Sequence, residues 1–463
     1  MRCKIAATAG LLCMLSSAQA TSSVIFTNLL SFDGTNGSRP LCTLAQSPDG
    51  TLVGTTSRGG AGDAGTVFRL STDGVLLQSS SFNTTNGSLP RAGVIVGSDG
   101  AVYGVTRQGG IPFGYGNLFR MTQDGTLSNL HVILNATVEG IFPEAALVEG
   151  NDGAFYGTTF QGAMPGCGTI FKITTNGVFT NLVVFTGNSG AYPGVSSLAS
   201  MIVASDGNFY GTTSGGNGGR IFRLSPSGAF TNLASFSGAV MPNNGIILRS
   251  QLVEGIDGRF YGTAQSGGTP QGFGTIFAMT TNGQVTALVR FAGTNGAFPY
   301  GGLTLGHDRN FYGMTYQGGQ EGWQKPGTIF QMTPAGAIST LVSFSGTNGA
   351  SLGANPYASL LLGRDGHFYG TTSVGGSFNH GTVFRLTVLT PAIHTVARSN
   401  DTLSLVWSSV ASHYYQLQSS TDPGSTNWTD YGSSILATNG NTAASVAIGK
   451  EPLNCFRILV VQP

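Results

Sequence analysis

Five acidic side chains stand in loop segments where they could carry out acid–base chemistry. They are Asp33, Asp63, Glu139, Glu144 and Glu321. Two carboxylates about 5 to 10 Å apart can hydrolyse a glycosidic bond, one as the acid and the other as base or nucleophile. No pattern in their spacing brings two of these acids together, so the sequence favours solvated loop residues and a protein without catalytic residues. A polysaccharide hydrolase or lyase is the alternative.

The histidines and cysteines do not form a metal-binding pattern. The six histidines are His131, His307, His367, His380, His394 and His413, without the His-x-x-x-His or Cys-x-x-Cys spacing typical of zinc sites. Three scattered cysteines are expected in the mature chain, Cys42, Cys167 and Cys455, and they predict small buried side chains without a disulfide framework. We expect neither a metal ion nor a cofactor.

Five ring-bearing side chains in long loops are candidates for ligand contact. They are Phe113, Tyr115, Phe273, Trp323 and His380. Aromatic rings can stack on sugar rings, while the Asn, Thr and Ser residues of the same loops can bond to hydroxyl groups. These residues favour an extracellular glycan as the partner, with a cell-surface protein as the other expected partner.

The elements that must position these loops belong to one repeat of about fifty residues. Seven aspartates open its copies: Asp49, Asp99, Asp152, Asp206, Asp257, Asp308 and Asp365. Each leads to an aromatic strand such as residues 155–159, a Gly-rich loop, a second strand such as residues 168–173, and a tight turn. With 72 glycines and no helical stretch, the chain is predicted to be all-β. The repeated aspartates are expected to cap their own turns, because calcium loops need more carboxylates.

The two ends of the repeat array complement each other. Residues 26–32 match residues 230–236, the third strand of a repeat, whereas the last repeat stops after residues 382–386. Pairing the first segment with the last repeat predicts a closed seven-bladed β-propeller over residues 21–388. Beyond it, alternating segments around Trp407 and Tyr415 predict a small immunoglobulin- or fibronectin-like β-sandwich over residues 389–463, with Trp407 in its core.

The N-terminus and the charge balance bear on location and partners. Arg2 and Lys4 precede an apolar run over residues 5–15 and the small residues of 18–20, which predicts a signal peptide over residues 1–20 and an exported protein, extracellular or at the cell surface. A formal net charge of +1 with 9% charged residues argues against nucleic acid. No later apolar stretch reaches the roughly 20 residues of a membrane span.

The repeat motif itself resembles a known family. Asp-Gly-x-Phe-Tyr-Gly-Thr-Thr, followed by Gly-Gly and then by Gly-Thr-[Ile/Val]-Phe, is similar to the GloVer tandem repeat of "choice-of-anchor" proteins, and it covers residues 21–388. The resemblance implies an exported bacterial protein. It implies no defined activity, so no catalytic, cofactor-binding or metal-binding residue is carried over from it.

Overall fold

The computed structural model describes residues 24–215, 218–236, 247–268, 270–320, 322–389, 391–420, 428–447 and 455–461. All the regular secondary structure of these residues is β-strand, so the all-β class predicted from the sequence is confirmed. The predicted signal peptide, residues 1–20, and Glu321 lie outside the described residues.

The described residues between 24 and 388 form twenty-eight strands. They are, in chain order, β1 (Val24–Ser31), β2 (Ala45–Gln46), β3 (Leu52–Thr56), β4 (Thr66–Leu70), β5 (Leu76–Ser81), β6 (Ile95–Val96), β7 (Val102–Thr106), β8 (Asn117–Met121), β9 (Leu127–Val132), β10 (Val148–Glu149), β11 (Phe155–Thr158), β12 (Thr169–Ile173), β13 (Phe179–Val184), β14 (Ile202–Val203), β15 (Phe209–Thr213), β16 (Arg220–Leu224), β17 (Phe230–Ser235), β18 (Val253–Glu254), β19 (Phe260–Ala264), β20 (Thr275–Met279), β21 (Val285–Arg290), β22 (Thr304–Leu305), β23 (Phe311–Thr315), β24 (Thr328–Met332), β25 (Ile338–Ser343), β26 (Leu361–Leu362), β27 (Phe368–Thr372) and β28 (Thr382–Val388).

These strands form seven antiparallel sheets of four strands each. Six follow the chain, in the orders β2-β3-β4-β5, β6-β7-β8-β9, β10-β11-β12-β13, β14-β15-β16-β17, β18-β19-β20-β21 and β22-β23-β24-β25. Each of the seven contains a two-residue strand that precedes a repeat aspartate, and this strand pairs with the aromatic strand after that aspartate. One repeat of the sequence therefore corresponds to one sheet.

The seventh sheet combines the two ends of the repeat array. Its order is β1-β28-β27-β26, and β1 is antiparallel to β28 with Phe26 opposite Leu386. The Phe26 ring stacks on Phe384 at 5.2 Å. The predicted pairing of the first segment with the last repeat is therefore present, and it covers the edge that β28 would otherwise expose.

The same hydrogen bond joins neighbouring repeats along the chain and the last repeat to the first. The Thr55 hydroxyl donates to the carbonyl oxygen of Ala92 in the next repeat at 2.8 Å. The equivalent hydroxyl of Thr371, in the last repeat, donates to the carbonyl oxygen of Cys42, in the first, at 2.9 Å. The first and last repeats are thus packed side by side as sequence neighbours are.

The repeat aspartates cap their turns, as predicted. In all seven repeats, one carboxylate oxygen accepts the backbone N–H of the residue two positions after the aspartate, at 2.9 to 3.2 Å. In six repeats the other oxygen accepts the hydroxyl of the tyrosine four residues onward, at 2.7 or 2.8 Å. Burial and this bond raise the pKa of Tyr210 and of Tyr261 to about 12. The carboxylate is therefore engaged in structure.

These tyrosines also pack one sheet against the next. The Tyr210 ring lies 4.2 Å from the ring of Phe260 in the following repeat, and four other tyrosine–phenylalanine pairs repeat the contact at 4.1 to 4.3 Å. The glycine after each tyrosine makes room within the sheet: a Cβ on Gly211 would lie 2.4 Å from the Phe222 ring. The Phe-Tyr-Gly motif is thus a packing motif.

Replacing Tyr210 by phenylalanine tests the aspartate–tyrosine bond. We expect Tyr210→Phe to lower the free energy of unfolding by about 1 kcal/mol, because the hydroxyl bond to Asp206 is lost while the ring stays on Phe260. Urea unfolding of the purified chain measures it. Tyr192→Phe, at an exposed tyrosine, is the control, and equal losses in both variants would contradict the assignment.

In the part of the C-terminal region that the structure describes, seven strands follow the repeats: β29 (Ile393–Ser399), β30 (Thr402–Ser408), β31 (Tyr414–Ser420), β32 (Thr429–Asp430), β33 (Ile435–Leu436), β34 (Asn441–Ala447) and β35 (Cys455–Val461). One sheet has the order β29-β30-β34, and in the other β31 pairs with β32, β33 and β35. Trp407 is fully buried among Leu405, Tyr415 and Phe456, which confirms its predicted place in the core. Trp428 lies under the guanidinium of Arg457, 4.6 Å away.

The C-terminal sheets contact the tight turns of the last two repeats. The N–H of Ala411 donates to the carbonyl oxygen of Asp365 at 2.9 Å, and that of Gly440 donates to Arg364 at 3.3 Å. The Arg309 side chain donates to the carbonyl oxygen of His394. These aspartate turns lie at the ends of the strands opposite the long loops, so the contacts that the described C-terminal residues make here are on the turn side of the sheets.

Candidate functional site

A cavity of about 430 Å³ is lined by all seven repeats, at their shortest strands and the residues just before them. Two positions of the repeat line it in every copy. The mouth position is eight residues before the repeat aspartate: Leu41, Arg91, Glu144, Leu198, Arg249, Tyr300 and Tyr357. The inner position is six residues before it: Thr43, Gly93, Ala146, Ser200, Gln251, Gly302 and Ser359.

The inner position carries small residues in most repeats because the backbones of neighbouring repeats approach closely there. The N–H of Gly302 donates to the Ser359 hydroxyl at 2.8 Å, and the N–H of Ser359 donates to the Thr43 hydroxyl at 3.2 Å. A Cβ on Gly93 would lie 2.5 Å from the carbonyl oxygen of Thr43. This level of the cavity is thus fixed by packing, whereas the mouth position has no shared residue type.

A third position of the repeat lies at the same end of the sheets as the mouth position, at the start of the long loop. This loop position is eight residues after the repeat aspartate: Ser57, Arg107, Phe160, Ser214, Gln265, Tyr316 and Ser373. In every repeat its backbone N–H donates, at 2.9 to 3.3 Å, to the carbonyl oxygen of the residue ten positions before that aspartate. The bond holds the loop position beside the segment that carries the mouth position.

The accepting residue is strained in six of the seven repeats. It has a φ between 50° and 57° although it is not glycine, at Arg39, Leu89, Phe142, Ser196, Phe298 and Asn355. Such backbone is uncommon for residues with a Cβ and persists only where the surroundings impose it. Its recurrence two residues before the mouth position indicates that the mouth side chains are held in a defined orientation.

The largest group of mouth and loop side chains is a tyrosine–arginine cluster, formed by Arg249, Gln265, Tyr300, Tyr316 and Tyr357. The rings of Tyr300 and Tyr357 stack at 4.7 Å, and the Tyr316 ring lies 4.8 Å from that of Tyr300. Arg249 donates to the Tyr357 hydroxyl at 3.1 Å, with its guanidinium 5.7 Å from the centre of the Tyr300 ring. Burial, and then Tyr357, raise the pKa of Tyr300.

A second group at the mouth is ionic. Arg107 donates through Nε to the Glu144 carboxylate, and Nη1 of Arg91 lies 3.8 Å from the same oxygen. The Glu144 side chain is 9% exposed and that of Arg91 is 42% exposed. The Arg107 guanidinium also lies 4.8 Å from the centre of the Phe142 ring. Glu144 is therefore neutralised by Arg107, and Arg91 extends toward solvent.

The five ring-bearing residues predicted from the sequence lie at three places on the loops. Phe113 stacks on Tyr115 at 5.4 Å, and Phe273 lies 6.2 Å from Trp323. His380 is hydrogen-bonded through Nδ1 to the Ser38 hydroxyl at 2.9 Å. Phe113 and Trp323 are exposed, so they remain available for contact with a ligand.

Three of these residues also have a backbone role. The carbonyl oxygens of Tyr115, Phe273 and His380 accept the N–H of the strained residue of the next repeat, at 2.7 to 2.9 Å. Phe298, the strained residue that bonds to Phe273, contacts the Phe273 ring at 5.8 Å. The pair formed by the partly buried Phe273 and the exposed Trp323 thus adjoins, through Phe298, the segment that carries Tyr300.

The predicted acids are held by separate partners. Their bonds are, in chain order, Asp33 with the N–H groups of Thr35 and Asn36, Asp63 with Arg58, Glu139 with His131, and Glu144 with Arg107. Of these four, Glu144 lines the cavity. Glu149 also lines it and accepts the Ser98 hydroxyl at 2.8 Å.

The described residues contain no group of three His, Cys, Asp or Glu side chains placed to hold a metal ion. Cys42 and Cys455 are buried, and Cys167 is partly buried. No helix long and apolar enough to cross a membrane occurs in the described parts of the chain.

Sequence reasoning identified Glu144 but missed Arg91, Arg249, Tyr300 and Tyr357. The signal that would have found them is variation: the mouth position changes in charge, size and aromaticity, while the residues around the aspartate are repeated. Side chains that keep a repeat folded recur in each copy. A cavity-lining position that does not recur is therefore free to serve binding.

The fold and the site define a tandem-repeat protein of the all-β class, in which each repeat supplies one sheet to a shared cavity. The chain belongs to the Gloeobacter/Verrucomicrobia repeat family, whose model matches residues 8–137, 79–256 and 243–404. The resemblance inferred from the repeat motif is confirmed. No curated protein matches the chain.

Two solved structures share the fold at low sequence identity. One is the extracellular domain of a protein assigned as a hybrid two-component system of B. thetaiotaomicron, with 10% identity and a TM-score of 0.51, covering 93% of this chain. This chain spans 57% of the length of that structure. The other is the BP39L lectin of Burkholderia pseudomallei, with 12% identity and a TM-score of 0.51, covering 84% of this chain and 96% of the lectin.

Proposed function

We propose that this chain is an exported, non-enzymatic binding protein that takes a glycan at the mouth of the shared cavity. In this proposal residues 1–20 are a signal peptide and residues 21–388 are a seven-bladed β-propeller, with the seven sheets as blades around the cavity. Residues 389–463 are an immunoglobulin- or fibronectin-like β-sandwich. Contact between the first and last repeats supports the closed ring.

The observation that carries the binding function is the variable mouth position of an otherwise regular repeat. It places stacked tyrosines, arginines and hydrogen-bonding groups around one cavity, which is the composition of a small-molecule site: apolar and aromatic faces with a few oriented polar groups. A glycan fits because aromatic faces can stack on sugar rings. The likeness to a lectin supports the same ligand class.

The carboxylates of the cavity support binding over hydrolysis. Acid–base hydrolysis of a glycan needs two carboxylates that are free to act on the substrate. The two glutamates that line the cavity are instead each bonded to a partner of their own, Arg107 for Glu144 and Ser98 for Glu149.

A glycan array probed with residues 21–463 tests the proposal. We expect saturable binding to a subset of glycans, weakened up to about tenfold by Tyr300→Ala at the mouth and by Trp323→Ala on the adjoining loop, because each removes an aromatic face. Ile256→Ala is the control, since Ile256 is exposed beside the tight turn at Asp257, at the opposite end of the sheet. Thermal unfolding verifies that each variant is folded.

Two results would count against this site. Binding that is unaffected by both aromatic substitutions would place the ligand elsewhere on the chain. No binding to any glycan on the array would overturn the glycan ligand and favour a cell-surface protein as the partner.

A further inference from the structure

We propose that the ligand is an acidic oligosaccharide whose carboxylate or sulfate group is bound by Arg249 beside the stacked rings of Tyr300 and Tyr357. The inference rests on the proposed function and names the ligand class of that site. Its basis is the partnering of the arginines around the mouth.

Arg249 makes its contacts with neutral groups. Nη1 bonds to the Tyr357 hydroxyl at 3.1 Å, and the guanidinium lies over the Tyr300 ring. Its Nε is buried and has no hydrogen-bond partner. A buried donor without an acceptor costs free energy, and the cost is greater when the group is charged. An anion beside the guanidinium would offset this cost by pairing the charge.

Arg107 provides the contrast within the same ring of residues. Its Nε is bonded to a carboxylate, that of Glu144, so its charge is compensated inside the protein. Arg249 instead lies beside aromatic rings, where a planar guanidinium can stack and still present its edge to a ligand. The two arginines therefore differ in role. Arg107 links two repeats at the mouth through Glu144, and Arg249 is available to bind an anionic ligand.

The charge of the mouth favours an anion. Arg91, Arg107 and Arg249 at the mouth and loop positions carry three positive charges, and the two glutamates that line the cavity, Glu144 and Glu149, carry two negative ones, which leaves one positive charge. Arg91 is 42% exposed and lies 3.8 Å from a carboxylate that Arg107 already holds. It is a second cation that a negatively charged chain can reach as it enters.

The aromatic rings determine which anions fit. A free phosphate or sulfate would use Arg249 alone, whereas a sugar acid can also contact the partly exposed rings of Tyr300 and Tyr357, which line the same cavity. Hydroxyl groups lie deeper, at Thr43, Ser200 and Ser359 of the inner position. An aromatic contact, several hydroxyl groups and one charge-assisted bond are together the contacts expected of a site that binds an acidic sugar.

Isothermal titration calorimetry of residues 21–463 at low salt tests the inference with three probes of equal length. They are tetrasaccharides of galactose, of galacturonic acid and of sulfated galactose. We expect at least one acidic probe to bind more tightly than the neutral one, and Arg249→Gln to weaken that binding about ten- to hundredfold. Raising the salt concentration should weaken it as well.

Two further variants separate charge from folding. Arg290→Gln removes the same charge from an exposed residue of the edge strand β21, and binding should be unchanged. Arg249→Lys keeps the charge but loses the planar fork, so its affinity should lie between those of the native chain and Arg249→Gln. Preference for galacturonate or for the sulfated probe identifies the anion, and either result supports the inference.

Three results would overturn the inference while leaving the glycan function intact. They are equal binding of neutral and acidic probes, unchanged acidic binding by Arg249→Gln, and array binding confined to neutral glycans. Failure of every array glycan and of all three probes would overturn the proposed function itself.

Discussion

Replacing Phe26 by serine should lower the free energy of unfolding by about 3 kcal/mol, the lower end of the cost of removing a packed phenylalanine, because this ring is half-buried. Phe26 stacks on Phe384 at 5.2 Å and meets Phe344 edge-on at 5.9 Å. The substitution therefore acts on the sheet that joins the two ends of the repeat array. Urea unfolding followed by intrinsic fluorescence measures the change.

The neighbouring residue on the same strand supplies the control. Ile25 is 47% exposed, and Ile25→Ser introduces the same polar side chain one position away, on the other face of the strand. We expect it to leave the unfolding midpoint nearly unchanged. Equal losses for Phe26→Ser and Ile25→Ser would contradict the packing of the first strand on the last repeat.

Acidification should destabilise the chain through His367, by about 3 kcal/mol between pH 6.5 and pH 4. This side chain is 8% exposed, and Nδ1 is bonded to the Thr387 hydroxyl at 2.8 Å. Burial lowers the pKa of His367 from 6.5 to about 4; nearby Asp365 opposes the shift, and Arg385 and His413 add to it. Between these two values the unfolded chain takes up a proton that the folded chain does not, so stability falls as the pH falls.

Comparing pH profiles checks this assignment. His367→Gln should flatten the loss of the unfolding midpoint between pH 6.5 and pH 4, whatever its effect at neutral pH. His131→Gln, which also removes one histidine, is the control for the substitution itself. A profile as steep in His367→Gln as in the native chain would mean that other groups cause the acid sensitivity.

The scaffold was predictable because its determinants recur. The aspartate turn, the Phe-Tyr-Gly strand and the match of residues 26–32 to residues 230–236 each appear several times or at both ends, so one chain supplies its own comparison. The all-β class, the turn capping and the pairing of β1 with β28 follow from these repeats. These features could be predicted because turns and hairpins are determined by residues that are close together in the sequence.

The site was harder to predict because it depends on contacts between repeats. Tyr300 and Tyr357 belong to different repeats, and their rings stack because the two repeats pack side by side, which the spacing within one repeat does not reveal. The candidate ligand contacts predicted from the sequence were ring-bearing side chains in long loops, and in the structure they lie at three separate places: Phe113 with Tyr115, Phe273 with Trp323, and His380. Glu144 was chosen as a candidate acid, and its bond to Arg107 depends on a neighbouring repeat.

The mouth and loop positions occur once in every repeat, whereas folding depends on other residues of the repeat. Each added copy of the unit therefore brought one further pair of side chains that could vary without loss of the sheet. In such a chain, single substitutions at the mouth and loop positions can change the surface of the cavity while the sheets stay the same. Under the proposed function, exchanging mouth residues between copies, for example Leu198 for tyrosine, should alter ligand selection on an unchanged framework.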